Sequence, residues 1–239
     1  MAVLTGVHPV AEALRAGRPL DRVLIAKGAA GPRLQEIIEL ARSSATPVRF
    51  EERAALDRLA GSAAHQGVVA LGAAKKYAEL EDVAASARLL VVLDGIEDPH
   101  NLGAVMRTAH AAGADALVIP ERRAAGLTET VAKAAAGALE YLPVVRVTNV
   151  SRALEECKKR GFWIYGLDER GDQDYDRVEY TELAVLVFGA EGKGLHQQVR
   201  QHCDVLVRIP TAGKISSLNV SVAAGVVLFD WKRRATGAR

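Results

Sequence analysis

The chain is short of the residues that metal centres, disulfide frameworks and base-stacking surfaces need. Its two cysteines, Cys157 and Cys203, lie far apart and show no CxxC or Cys/His spacing. That pattern argues against structural zinc and against a disulfide scaffold, and fits a reduced cytosolic compartment. Aromatic residues make up only 5% of the 239 residues. So small a share, with no RRM-type aromatic signature, gives no stacking platform for bases. Long apolar runs are missing too. The longest weakly polar stretch, Leu218 to Phe229, contains Asn219 and Ser221 and falls well short of the roughly 18 apolar residues a membrane helix requires. The N-terminal MAVLTGVHPVAEALRAGRPL carries Glu12 and no basic-then-apolar leader pattern, so neither secretion nor membrane insertion is expected and the protein reads as cytoplasmic.

What is present is an ordinary globular composition, 49% hydrophobic and 25% charged, long enough for one large or two small domains with real cores. Charge of one sign does not dominate: residues 1–72 hold 9 basic and 7 acidic side chains, and the rest 22 of each. Any footprint for a polyanion must therefore be local. The basic runs are Lys75-Lys76, Arg122-Arg123, Lys158-Lys159-Arg160 and Lys232-Arg233-Arg234, and each alone reads as solvated surface.

Hydrophobic periodicity divides the chain. From Gly6 to Leu71, helical patterns at Pro9–Ala16, Pro32–Arg42 and Arg53–Leu59 alternate with strand-like DRVLIAK, PVRF and QGVVAL, predicting a small α/β domain over residues 1–72. Residues 73–86, rich in Ala, Lys and Glu, read as a linker. The remainder, 87–239, holds the apolar runs RLLVVLD, ALVIP, YLPVVRV, FWIYGL, LAVLVFG and DVLVRIP. Such runs, without polar alternation, mark strands covered on both faces, hence a largely parallel sheet flanked by helices.

Parallel sheets bind ligands at the carboxyl ends of their strands, and three segments stand out there. Asp94 to Ala109 runs from a strand end through a turn into a helix, with Asn101 as a candidate N-cap and Gly113 as the stop. Arg107 lies off that helix's apolar stripe and is placed to lean back toward the strand ends. Standing alone, this segment reads as a cap and a solvated arginine. Phe188 to Gly194 packs Gly189, Gly192 and Gly194 around Glu191, a spacing that is neither GxGxxG nor a P-loop. A solvent turn would use the glycines equally well. Ile209 to Ser221 joins the last strand to a final helix, which reads as buried nearly all round, with Ser217 as a possible cap. A polar Asn219 in its first turn then calls for a partner at the sheet edge.

Together the three segments resemble the three motifs of the SPOUT-class SpoU/TrmH family of RNA ribose 2′-O-methyltransferases. The match runs through Asn101 and Arg107, through Gly189-Ala190-Glu191-Gly192, and through Ile209-Pro210 with Ser217-Leu218-Asn219-Val220-Ser221. GVHPVAEAL near the N-terminus and His65-Gln66-Gly67 are similar to the ribosomal-protein-like substrate domain of the subgroup that methylates a guanosine ribose in 23S rRNA near the peptidyl-transferase centre. The resemblance implies a C-terminal parallel sheet with a deep trefoil knot. It implies S-adenosylmethionine held by backbone at Gly189, Ile209 and Leu218, and a catalytic group of Arg107, Asn101, Glu191, Ser217 and Asn219. No metal is implied. The partners it implies are 23S rRNA or a ribosomal assembly intermediate and a second copy of the chain, with residues 1–72 reading the RNA.

Overall fold

In a computed structural model, residues 2–190, 192, 194–213 and 217–237 are described, with side chains to Arg234. The chain forms two compact units. The first runs through Lys76 and takes in Leu127–Tyr141; the second comprises Tyr77–Gly126 and the chain from Leu142 onward.

The first unit is built of β1 (Ala2–Thr5), α1 (Val7–Arg15), β2 (Leu20–Ala26), α2 (Pro32–Ser43), β3 (Val48–Glu51), α3 (Arg53–Ala60) and β4 (Val68–Gly72). Its sheet has the order β1-β4-β2-β3. β4 runs antiparallel to both β1 and β2, while β3 runs parallel to β2. Alternation along the strands serves two apolar layers. Val23, Ile25, Val68 and Ala70 pack with α1 and α2, whereas Leu24, Ala26, Val69 and Leu71 pack with Leu56 and Ala60 of α3. Both faces are covered, which is why these strands look uniformly apolar in sequence. β1 was not anticipated. Pro9 falls inside the first turn of α1, where its missing N–H costs no helical bond.

Next come α4 (Leu80–Ala84), β5 (Leu89–Asp94), α5 (Pro99–Ala112), β6 (Ala116–Pro120), α6 (Glu129–Ala135), α7 (Ala138–Tyr141), β7 (Val144–Val147), α8 (Val150–Lys159) and β8 (Trp163–Leu167). The chain ends with β9 (Gln173–Asp174), a 3₁₀ turn at Tyr175–Arg177, β10 (Ala184–Gly189), α9 (Gln197–Gln201), β11 (Val205–Arg208) and α10 (Val220–Gly237). The second unit's sheet has the order β7-β6-β5-β10-β8-β11-β9, and every pairing in it is parallel. All six apolar runs of the second half became strands; two-residue β9 carries no sequence signal. One face is filled by Val92, Val118, Ile164 and Val187 against Leu154 and Cys157 of α8. Burial pushes the Cys157 thiol up to about 11 and the Cys203 thiol to about 12, so both stay protonated and inert near neutral pH. α5 and α10 pack against each other. The fold class is α/β, a seven-stranded parallel sheet with helices in the second unit and a smaller α/β unit ahead of it in the chain.

Two features depart from the sequence expectation. The stretch read as a linker contains α4, and Ala78 bridges in parallel to Val145 and donates its N–H to the Val144 carbonyl at 2.8 Å. Residues 127–141 pack with the first unit instead of the second. Arg18 Nη1 donates to Glu140 Oε1 at 2.8 Å, the Tyr141 hydroxyl to Glu12 Oε2 at 2.7 Å, and the Thr5 hydroxyl to Glu129. Gly137 sits so close that a β-carbon on it would lie 2.4 Å from Glu12 Cγ. These contacts come from residues more than a hundred positions away, so local pattern could not assign the segment.

Candidate active site

α5 begins with Asp98, whose Oδ1 accepts the His100 N–H at 2.9 Å, followed by Pro99 in the first turn. Asp before Pro is extended by steric necessity and supplies the cap oxygen, so Asp98 takes the capping role expected of Asn101. Asn101 is thereby placed one turn into the helix. Gly113, at φ 88°, stops the helix as expected.

The final helix is capped by Asn219, not Ser217. Asn219 Oδ1 accepts from the Ser221 N–H at 2.9 Å and the Ser221 hydroxyl at 2.6 Å. Its amide Nδ2 donates to Asn101 Oδ1 at 2.9 Å, across 118 positions of sequence. That bond joins the first and third segments. α10 is not buried all round: Val222 and Phe229 are 53% and 47% exposed along one face, and Leu218, just ahead of the helix, is 41% exposed.

A cavity of about 340 Å³ opens at the carboxyl ends of β8, β10 and β11, and Gly189, Ile209, Ser217 and Leu218 all line it. Gly189 is required there sterically. A β-carbon on it would lie 2.2 Å from the Gly194 carbonyl carbon and 2.4 Å from the Leu195 nitrogen, because the loop folds back with the Gly194 N–H donating to the Ala190 carbonyl at 2.9 Å. Gly192 and Gly194, at φ 72° and 66°, make that return possible. Asn101 and Asn219 do not line the cavity, and neither does Arg107, which is exposed on α5. Glu191 lies outside the described residues.

Two carboxylates, Asp168 and Asp94, and the basic residues that hold them escaped sequence reasoning. Asp168 lines the cavity with its side chain only 1% exposed. It accepts from Arg170 Nε at 3.0 Å, Arg170 Nη2 at 3.1 Å and the Arg170 N–H at 2.9 Å, with Arg200 Nε 3.5 Å away. Burial opposes its ionisation, but the Arg170 hydrogen bonds and the Arg200 charge hold its carboxyl below the usual carboxylate range. Asp94, buried at the end of β5, accepts from the His196 N–H at 2.8 Å and sits 2.9 Å from His196 Nδ1, fixing the end of the glycine loop to β5. The signal was a lone charge directly after an apolar run, which is also how any solvated turn begins. Among the described residues, no three His, Cys, Asp or Glu side chains are grouped to hold a metal, and no helix is long and apolar enough to cross a membrane.

The cavity suits a small ligand read largely by backbone. Its volume is in the small-molecule range, glycine leaves main chain exposed on one wall, and Leu218 and Phe188 supply apolar surface. Comparison with known proteins gives the ligand's class. Residues 88–229 match the model of the SpoU rRNA methylase family, and residues 3–78 match that of the RNA 2′-O ribose methyltransferase substrate-binding domain. YacO of Bacillus subtilis (strain 168), which carries the name of a TrmH family tRNA/rRNA methyltransferase, is 44% identical over 235 residues, covering 96% of this chain and 94% of that protein. A Staphylococcus aureus (strain COL) relative of the same designation is 39% identical over 97% of this chain and 96% of its own. The SpoU methyltransferase AviRb from Streptomyces viridochromogenes superposes with a TM-score of 0.85 at 28% identity, covering all of this chain and 91% of that one. Its complex with the cofactor AdoMet gives 0.84 at 27% identity, over 98% and 90% of the two chains. The chain belongs to the SpoU rRNA methylase family. It is an RNA methyltransferase.

Proposed function

We propose that the chain methylates the 2′-hydroxyl of a guanosine ribose in 23S rRNA, as free RNA or within a ribosomal assembly intermediate, and does so as a cytoplasmic homodimer. The observation that carries this reading is the convergence of Gly189, Ile209, Ser217 and Leu218 on one cavity, with the next residue, Asn219, bonded to Asn101.

Bound S-adenosylmethionine supplies an electrophilic methyl on a sulfonium. The protein has two remaining tasks, to hold the ribose oxygen in line with that methyl and to assist loss of its proton. Gly189, Ile209 and Leu218 offer main chain to the donor. Asn101, Ser217 and Asn219 orient the ribose. Arg107 is the group nearest the hydroxyl. A guanidinium stays protonated in proteins, so its part is electrostatic, stabilising the developing alkoxide and the adjacent phosphate. The exposed face of Val222 and Phe229 on α10 is the apolar surface a second copy would cover.

The test compares ribose methylation across rRNA and tRNA in cells with and without the gene, beside in vitro turnover of Arg107→Ala. The expected results are loss of one 23S guanosine mark and a fall in turnover of at least about a hundredfold, with S-adenosylmethionine affinity little changed. A missing mark in tRNA or at another rRNA ribose would move the substrate assignment. Near-normal turnover would return Arg107 to solvent. Light scattering checks the dimer, which a fully active monomer would contradict.

A further inference from the structure

Apart from Lys76, the side chains of three of the four basic runs have partners among the described residues. Lys158 pairs with Asp204, and Lys159 and Arg160 with Glu156. Lys75 donates to the Glu140 carbonyl at 2.8 Å, and Arg233 and Arg234 pair with Asp230. Arg122 and Arg123 differ. Both are exposed, and among the described residues neither makes an ion pair or a side-chain hydrogen bond, even with Glu97 or Glu121, the exposed acids of the two adjoining loops.

Their position is fixed by backbone. On one side the Glu121 N–H donates to the Val147 carbonyl at 2.9 Å; on the other the Ala125 N–H donates to the Ile96 carbonyl at 3.0 Å. The pair is thus pinned at the carboxyl ends of β6 and β5, on the edge from which α5 departs with Asn101 and Arg107. Arg123 is held at φ 58°, a left-handed conformation that crowds the β-carbon of an L-residue against its own backbone. A strained, exposed and uncompensated cation pair on a tethered loop is poor surface design unless an anion completes it. A ribose presented to this edge brings phosphates on both its 5′ and 3′ sides, and guanidinium groups are suited to phosphate oxygens by geometry and charge.

We propose that Arg122 and Arg123 grip the RNA backbone flanking the target ribose, independently of base sequence. The inference rests on the RNA-methyltransferase reading and adds the surface by which the second unit itself holds substrate. The experiment measures filter binding of protein-free 23S rRNA and of unfractionated tRNA over a salt series. It uses the full-length wild type, Arg122→Ala/Arg123→Ala, Arg122→Lys/Arg123→Lys and the control Lys159→Ala, with S-adenosylmethionine affinity read by calorimetry. The double alanine variant is expected to bind both RNAs about tenfold more weakly, with a salt slope shallower by roughly 1–2 and unchanged S-adenosylmethionine affinity. The lysine variant should recover most of both losses, and Lys159→Ala should match the wild type. Wild-type affinity and slope in the alanine variant would overturn the inference alone, as would a lysine variant as impaired as the alanine one. Failure of the wild type to bind either RNA would overturn the inference together with the reading beneath it.

Discussion

The two units draw on similar local patterns, apolar strands followed by amphipathic helices, yet their polar side chains do different work. In the first unit the sheet is mixed, so strand ends and helix starts are divided between two edges. Its buried polar groups hold structure. The Gly67 N–H donates to His65 Nδ1 at 3.0 Å, which puts the ring proton on Nε2, 2.8 Å from Asp57, and Arg18 and Glu140 pin a distant segment. In the second unit every strand runs the same way, so Asp94, Asp168, Gly189 and Ile209 are all delivered to one edge. Parallel topology concentrates chemistry; mixed topology disperses it.

That contrast can be broken at several points, and the largest expected effect is at the loop crossing. Gly189→Ala would drive a methyl into the Gly194 backbone, which cannot turn away as a side chain could, so S-adenosylmethionine affinity should fall at least about a hundredfold. Calorimetry on a variant shown folded by circular dichroism checks this, and unchanged affinity would show that the backbone there is free to move. In the first unit, Arg18→Ala leaves buried Glu140 with only Lys75, 3.9 Å from its Oε2, and should cost about 2–3 kcal/mol of that unit's stability. Thermal melting and calorimetry together test the division of labour, because S-adenosylmethionine affinity is expected to stay put while the transition falls.

Asp168→Asn keeps the shape but removes the charge-assisted bonds, for an expected loss of about 1 kcal/mol once the exposure of Arg170 is allowed for. The effect depends on pH. Because the folded carboxyl titrates below its ordinary value, its stabilisation is present above the unfolded pKa and lost as pH falls through the folded one. Wild type and variant should therefore converge in urea stability below roughly pH 4. A gap that persists in acid would mean the carboxylate charge is not what holds β8 to α9. Smallest is Asn219→Ala, expected to cost about 1 kcal/mol through the lost cap. Asn219→Asp keeps the cap oxygen but loses the donor to Asn101, so full turnover in the aspartate variant would separate capping from the contact between segments.

Much of the second unit was legible because continuous Val, Leu and Ile runs admit little besides a strand covered on both faces. Gly113 was legible as a helix stop for an equally local reason. The caps were read less well: Asp98-Pro99 and Asn219 took the roles expected of Asn101 and Ser217, since several good cap residues lay within one turn and only the path of the chain chose among them. Val222 and Phe229 keep helical spacing, but spacing cannot say whether a face meets its own core or solvent.

By itself the sequence determined the long apolar strands, the amphipathic helices of the first unit, the glycine-rich loop and the three segments whose residues resemble a known family, because each rests on interactions within a few positions of chain. Tertiary structure alone decided that Asn219 reaches Asn101, that Gly189 faces the backbone of Gly194, that Asp168 is clamped by Arg170 and Arg200, and that residues 127–141 join the first unit. Those outcomes depend on strand order and on which distant groups can satisfy a buried charge or amide, and neither quantity is encoded in local periodicity.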